Sequence, residues 1–149
     1  MEELKNSFCG TWNHARDENF RESMEASKMA KEDIDFITST KPTMTIKVEG
    51  NKVVHSTELM KGVVDDVTYE LDKEFEAKDK KSPENPLYHN KVLCTFKDGK
   101  LTYESRSQLT GPRKFDNVTV IYIKDGELVS ETSPMDDRSI VGKRFYKKA

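Results

Sequence analysis

The sequence is poor in cysteine, in long apolar runs and in net charge. Its 149 residues include only Cys9 and Cys94, so it is not a disulfide-rich scaffold. No stretch approaches the roughly 18 consecutive apolar residues that a membrane-spanning helix needs. Lysine and arginine number 25, aspartate and glutamate 27, and the two signs are interspersed. With a formal charge of −2 and no long basic run, we expect no nucleic-acid partner.

The N-terminal residues and the two thiols both indicate a reducing compartment. Residues 1–5 contain no apolar segment of the kind found in a secretory signal. Two thiols in such a chain are expected to be reduced rather than bridged. We therefore predict a cytoplasmic protein, and from its length we predict one domain over residues 1–149.

Groups that carry out chemistry are also scarce. The histidines, His14, His55 and His89, are scattered and show no metal-ligand spacing. The sequence has no glycine-rich phosphate loop and no G-x-S-x-G nucleophile motif. Cys9 lies in an apolar, strand-like context, where a buried structural thiol is expected. No metal, cofactor or catalytic residue is predicted, although acids distant in the sequence could still meet in space.

What the chain does contain is alternation of apolar and polar residues. Met44, Ile46 and Val48 fall on one face of a predicted strand, with polar residues between them. Asp98-Gly99 and Asp125-Gly126 stand between two such segments each, and Asp-Gly is a strong signal for a tight hairpin turn. Repeated short strands joined in this way favour an antiparallel sandwich or barrel.

The segment after the first predicted strand departs from this alternation. Asp17 is expected to cap a helix that carries Phe20 and Met24, four residues apart. A second short helix is predicted to end before Lys41-Pro42. Its apolar residues are Met29, Ile34, Phe36 and Ile37.

Two polar segments, 77–90 and 132–142, are predicted as long loops. Loops of this length in a compact domain are often functional, but tolerated surface insertions explain them at least as well.

Arg144 and Tyr146, near the C-terminus, are two residues apart and so project from the same face of a strand. If that face points inward, the guanidinium can bind a carboxylate in two places and the phenol adds a hydroxyl donor. A buried arginine without an anion is costly, so such a site would require a ligand headgroup or ordered water.

Several segments in one order resemble the fatty-acid-binding proteins of the intracellular lipid-binding family. The resemblance covers nearly the whole chain, and its specificity comes from the combination. The matching segments are F-C-G-T-W at 8–12, E-N-F at 18–20, K-P-x-M-x-I-x-V-x-G at 41–50, Leu71 with Phe75-Glu76, D-G-x-L at 98–101 and 125–128, and R-x-Y at 144–146.

This resemblance implies an all-β fold: a ten-stranded antiparallel up-and-down β-barrel of the calycin type, with a two-helix lid between the first two strands. It implies a monomer that carries one long-chain fatty acid or similar lipid, with at most transient membrane contact. Arg144 and Tyr146 would contact the carboxylate. The residues that would lie along the acyl chain or at the portal are Phe20, Met24, Ile37, Pro42, Met44, Met60 and Ile121.

The sequence departs from the family at four places. Ile121 stands nearest the position where many members carry a second cavity arginine, and we hypothesise that Arg106 points inward and substitutes for it. Asp72 replaces a turn glycine, and the linker 26–30 between the lid helices has no glycine. The 77–90 loop is longer than usual and is predicted to gate ligand entry.

Other functions remain open at this point. The same barrel could be an enzyme that acts on a lipophilic substrate, or it could bind a bulkier or neutral, retinoid-like lipid. Gly10-Thr11-Trp12 also resembles the G-x-W of extracellular lipocalins, although the expected lid helices disfavour them. A membrane-stacking structural protein would require a strongly basic surface, and the formal charge of −2 argues against it.

Overall fold

The computed structural model describes residues 2–26, 29–78, 84, 86, 89–110 and 116–149, which form one ten-stranded antiparallel sheet and three helices. The sheet order is β4-β3-β2-β1-β10-β9-β8-β7-β6-β5, so it curls into a nearly closed up-and-down barrel. The predicted fold class is therefore confirmed. The strands are β1 Gly10–Glu18, β2 Thr43–Glu49, β3 Lys52–Met60, β4 Val63–Glu70, β5 Phe75–Lys78, β6 His89–Lys97, β7 Lys100–Ser107, β8 Asn117–Lys124, β9 Glu127–Pro134 and β10 Gly142–Lys148.

Tight turns make the up-and-down topology possible. Asp98 and Gly99 join β6 to β7 with φ values of 54° and 75°, and Asp125 and Gly126 join β8 to β9 with 53° and 78°. Two consecutive positive φ angles give the turn whose twist matches that of the flanking strands. Both predicted Asp-Gly hairpins are thus confirmed.

No strand pairing joins β4 to β5 in the described ranges. The barrel therefore closes at this point through side-chain contacts. The Tyr69 and Phe75 rings meet edge to face across this gap, with centroids 5.5 Å apart. After β4 the chain turns through Asp72, whose φ of 64° is the conformation that a glycine would adopt. The Asp72 N–H then donates to the carbonyl of Cys94 at 2.9 Å, which anchors the turn to β6.

The first helix, α1 (Glu2–Phe8), was not predicted. Its two apolar residues, Leu4 and Phe8, lie one turn apart, are fully buried and pack into the barrel core. The Trp12 indole N–H donates to the carbonyl of Phe8 at 2.9 Å and ties the helix to β1. Cys9 lies between α1 and β1 and is partly exposed, so the expectation of a buried thiol within a strand is wrong.

The lid consists of α2 (Phe20–Ala26) and α3 (Lys31–Ser39), in the predicted place between β1 and β2. Phe20, Met24 and Ile34 form a small apolar cluster, and Met29 and Ile37 pack against it. Asp17 does not cap α2, because it lies within β1 and its carboxylate binds another partner. Residues 27 and 28 of the glycine-free linker lie outside the described residues.

Both predicted loops are shorter than expected. The 132–142 segment begins inside β9, and Thr132 pairs with Gly142 of β10, which leaves 135–141 as the connection. The 77–90 segment loses its first two residues to β5 and its last two to β6. Most of what remains falls outside the described residues, so a gating role for it stays a prediction.

Phe8 offers a direct test of the role of α1. Replacing Phe8 by Ala should lower the free energy of unfolding by about 3–5 kcal/mol, because the change leaves a cavity in the core. The matched control is Phe36→Ala on α3, where the ring is 48% exposed and the change should stay within about 0.5 kcal/mol. Urea unfolding of both variants measures the difference. Equal effects would mean that α1 is not packed as described.

Candidate functional site

Arg144 and Tyr146 lie on the inner face of β10, where they are 7% and 3% exposed. The residue between them points outward, where the Arg16 guanidinium covers the Phe145 ring at 3.9 Å. The alternation expected of a strand is therefore kept, and it brings the cation and the phenol into the barrel beneath the lid.

The Arg144 guanidinium is already paired within the chain. Its Nε donates to Asp17 Oδ1 at 3.0 Å, and its Nη2 lies 3.4 Å from Asp17 Oδ2. Nη2 also donates to the carbonyl of Thr40 at 3.0 Å and approaches that of Ile37 at 3.3 Å, at the end of α3. The Phe20 ring of α2 packs 4.4 Å below the guanidinium carbon.

This pairing changes what the site requires of a ligand. Burial acts to raise the pKa of Asp17, but hydrogen bonds from Arg144 and His14 outweigh it and hold that pKa below its usual value. Asp17 is therefore an anion at neutral pH and balances the charge of Arg144. Among the described residues, the hydrogen bonds of this guanidinium use Nε and Nη2 and none uses Nη1. One nitrogen remains for a further acceptor.

His14 and Tyr146 complete this group. His14 Nε2 lies 2.7 Å from Asp17 Oδ1, and the imidazole meets the Tyr146 ring edge to face at 5.8 Å. His14 Nδ1 is buried and has no hydrogen-bond partner among the described residues. Burial raises the pKa of Tyr146 to about 12, so its hydroxyl stays a neutral donor. Sequence reasoning missed Asp17 and His14 as members of the site.

The predicted apolar contacts divide into two places. Phe20, Met24 and Ile37 belong to the lid, where the Phe20 ring and the Ile37 carbonyl contact the guanidinium. Met44 and Ile121 are buried in the barrel core. The remaining two are Pro42 and Met60. Pro42 is buried, and its carbonyl accepts the backbone N–H of His14 at 3.1 Å. The side chain of Met60 lies outside the described residues.

Arg106 does not substitute for the missing second arginine. In β7, Leu101, Tyr103, Ser105 and Ser107 are buried and the residues between them face outward. Arg106 is one of the outward residues, and its side chain is 55% exposed, 4.0 Å from Glu104. The hypothesis that Arg106 points inward is wrong, because its position in the strand register places it on the outer face.

A second group of polar side chains lies inside the barrel on another wall. His55 of β3 and Tyr103 of β7 have ring centroids 6.0 Å apart, and Tyr69 packs on Tyr103 at 4.8 Å. Burial lowers the pKa of His55 to about 4 and raises that of the neighbouring Cys94 thiol to about 12. These groups are therefore neutral. None was predicted, although His55 shares the strand face of the fully buried Val53.

The described residues contain neither a candidate metal site nor a candidate membrane-spanning helix. No group of three or more His, Cys, Asp or Glu side chains among these residues could hold a metal ion. No described helix is long and apolar enough to cross a membrane.

Solved structures share this architecture. The fluorescent protein UnaG is 26% identical, with 97% of this chain and 98% of that chain covered and a TM-score of 0.75. Lipid binding protein 8 of Caenorhabditis elegans is 18% identical over 97% and 96% of the chains, with a TM-score of 0.73. Fatty-acid-binding protein 1 of Echinococcus granulosus is 18% identical over 97% and 98%, with a TM-score of 0.74.

The resemblance seen in the sequence is confirmed at the level of the fold, which is that of the intracellular lipid-binding proteins. No protein-family model matches the chain, and no curated protein matches it.

The ion pair between the buried Arg144 and the partly exposed Asp17 predicts a measurable effect of Asp17. Replacing Asp17 by Asn should destabilise the protein by about 1–3 kcal/mol, because it leaves the buried Arg144 charge without its counter-ion, while the 27% exposure of the Asp17 side chain screens part of the attraction. The control is Asp35→Asn, which breaks the exposed pair with Arg21 and should change little. Thermal unfolding of both variants gives the comparison. A loss no greater than that of the control would show that the buried Arg144 does not depend on Asp17 as its counter-ion.

His55 predicts how stability depends on pH. Its pKa of about 4 lies below the ordinary 6.5, so the unfolded chain binds a proton that the folded chain does not. Stability is therefore lost as pH falls from about 6.5 to 4, by about 3 kcal/mol in total from this residue. In His55→Gln, the midpoint of unfolding should depend much less on pH across this window than in the parent protein. His89→Gln, which changes a partly exposed histidine paired with Glu76, should leave the slope intact. A parent-like slope in His55→Gln would refute the assignment.

Proposed function

We propose that this protein carries one small hydrophobic ligand, a long-chain fatty acid or similar lipid, inside the barrel beneath the lid. The observation that supports this most directly is a buried guanidinium with a neighbouring phenol on the inner face of an otherwise largely apolar barrel. The shared fold with lipid-binding and fatty-acid-binding structures supports the same class of cargo.

The apolar interior would supply most of the affinity. Burying about fifteen methylenes at about 0.8 kcal/mol each gives on the order of 12 kcal/mol gross. Lost rigid-body freedom and ordering of the tail remove several kcal/mol. A net value of about 8–10 kcal/mol corresponds to dissociation constants from roughly micromolar to tens of nanomolar. In this proposal the headgroup contacts mainly orient the lipid.

The polar end of the ligand would bind Arg144 Nη1 and the Tyr146 hydroxyl. A carboxylate there would gain a charge-assisted hydrogen bond, but it would also lie close to the Asp17 anion. That like charge reduces the preference for an anion. The Arg144–Asp17 pair therefore favours, as a second candidate, a carrier of neutral lipids whose polar group needs only hydrogen bonds.

We propose a carrier rather than an enzyme because the buried groups are poor catalysts. The Cys94 thiol, with its pKa raised to about 12 by burial, forms almost no thiolate at neutral pH. His55 is neutral at neutral pH, and its ring contact in the described ranges is with the phenol of Tyr103, whose pKa burial raises well above its usual value. Both cysteines are free thiols, which supports the cytoplasm as the site of action. A monomer suffices, since the ligand would be enclosed by one barrel.

Oleate and oleyl alcohol, which differ only in the headgroup, test the proposal. Displacement of a fluorescent fatty-acid probe should show that both bind the purified protein. Arg144→Gln should weaken oleate about ten-fold, the loss of one charge-assisted hydrogen bond, and should weaken oleyl alcohol by less, because its neutral hydroxyl makes a weaker bond to the guanidinium. Asp17→Asn should strengthen oleate several-fold by removing the competing anion.

Arg106→Gln is the matched control, because it makes the same substitution on the outer face and should change neither affinity. Thermal melts of each variant establish that it is folded. If neither lipid binds the parent protein, the carrier proposal is wrong. If both bind and Arg144→Gln leaves oleate unchanged, the headgroup assignment alone is wrong.

A further inference from the structure

We propose that His55 and Tyr103 form a second polar recognition site inside the barrel, which binds a neutral hydroxyl or similar donor-and-acceptor group on the body of the ligand. This inference rests on the carrier function proposed above. It adds that the preferred cargo is polar at two places, once beneath the lid and once along its chain.

The two side chains share the barrel interior although they come from distant strands. His55 lies two residues after Val53, and Tyr103 lies two residues after Leu101. Val53 and Leu101 are fully buried, and side chains two residues apart share a strand face, so those of His55 and Tyr103 also point into the barrel. Their ring centroids are 6.0 Å apart, with an angle of 39° between the ring planes. In the sheet order, β3 and β7 each stand three strands from β10, on opposite sides of it. The two residues therefore occupy a wall away from Arg144.

Both polar atoms are buried without a hydrogen-bond partner among the described residues. They are the Nε2 of His55 and the hydroxyl of Tyr103, and Tyr103 as a whole is only 7% exposed. The Cys94 thiol lies close enough to the phenol to interact with it as a weak hydrogen-bonding group, but sulfur satisfies a hydroxyl far less well than an oxygen or nitrogen does. Buried polar groups in native proteins are nearly always hydrogen-bonded, and each exception requires a reason.

The surrounding residues define which partner would fit. Tyr69 packs on Tyr103 at 4.8 Å and Phe75 packs on Tyr69 at 5.5 Å, so aromatic rings wall the site on one side. Burial keeps His55 and Tyr103 uncharged, and neither forms an ion pair among the residues described here. A charged group would pay its desolvation cost here without a counter-ion. A neutral hydroxyl can donate to an imidazole nitrogen and accept from a phenol, and so satisfies both atoms.

Oleate and two hydroxylated derivatives test the site, one with the hydroxyl near the middle of the chain and one with it at the chain end. At least one derivative should bind about ten-fold more tightly than oleate, because it satisfies buried groups that oleate leaves unpaired. Tyr103→Phe, which removes only the hydroxyl, should abolish this gain and leave oleate affinity within about two-fold. His55→Leu should reduce the gain in the same way.

Tyr122→Phe is the matched control, because its hydroxyl donates to Glu131 on the outer side of the barrel and should not alter any of the three affinities. Melting curves show that each variant is folded. If oleate binds but neither derivative gains affinity, or if the gain survives Tyr103→Phe, the second site is refuted and the carrier function stands. If none of the three lipids binds, the carrier function itself fails.

Discussion

The ion pair of the buried Arg144 with Asp17 is the interaction on which the arrangement of this protein depends. It joins β10 to β1, and through the carbonyls of Ile37 and Thr40 it also holds the end of α3. The Phe20 ring of α2 packs against the same guanidinium. Burying the Arg144 charge is unfavourable, and the hydrogen bonds of its guanidinium offset that cost. These hydrogen bonds and the one from Asn19 Nδ2 to the carbonyl of Val141 join the lid region to β10 and the residue before it. The small apolar cluster holds α2 and α3 to each other.

That interaction also bears on the cargo. A guanidinium without an internal counter-ion would demand an anion, whereas this one is balanced by the chain itself. The interior then offers hydrogen bonds at two separate places, at the Arg144 group and at the His55–Tyr103 pair, between walls that are otherwise largely apolar. In the proposed carrier, such an interior would discriminate among ligands by where their polar atoms lie along the chain more than by their charge.

The sequence alone predicted the features that depend on neighbouring residues. Alternation located the strands, and two Asp-Gly pairs located hairpins, because both signals depend only on neighbouring residues. The site depends on long-range pairing, which such patterns do not contain. Asp17 lies 127 positions from Arg144, and its place before the E-N-F segment indicated a helix cap instead. Arg106 was misplaced because inward and outward positions differ by one residue of register. α1 was missed because seven residues with two apolar positions carry little periodicity.

The seam between β4 and β5 has a consequence for how large a cargo the barrel admits. Elsewhere, widening the barrel would break a row of main-chain hydrogen bonds. At this seam, in the ranges that the structure describes, the walls are held by ring contacts such as that between Tyr69 and Phe75. An aromatic pair contributes only about 1 kcal/mol beyond the area that it buries. In the proposed carrier, an increase in ligand girth would therefore be resisted along this line by side chains rather than by the backbone.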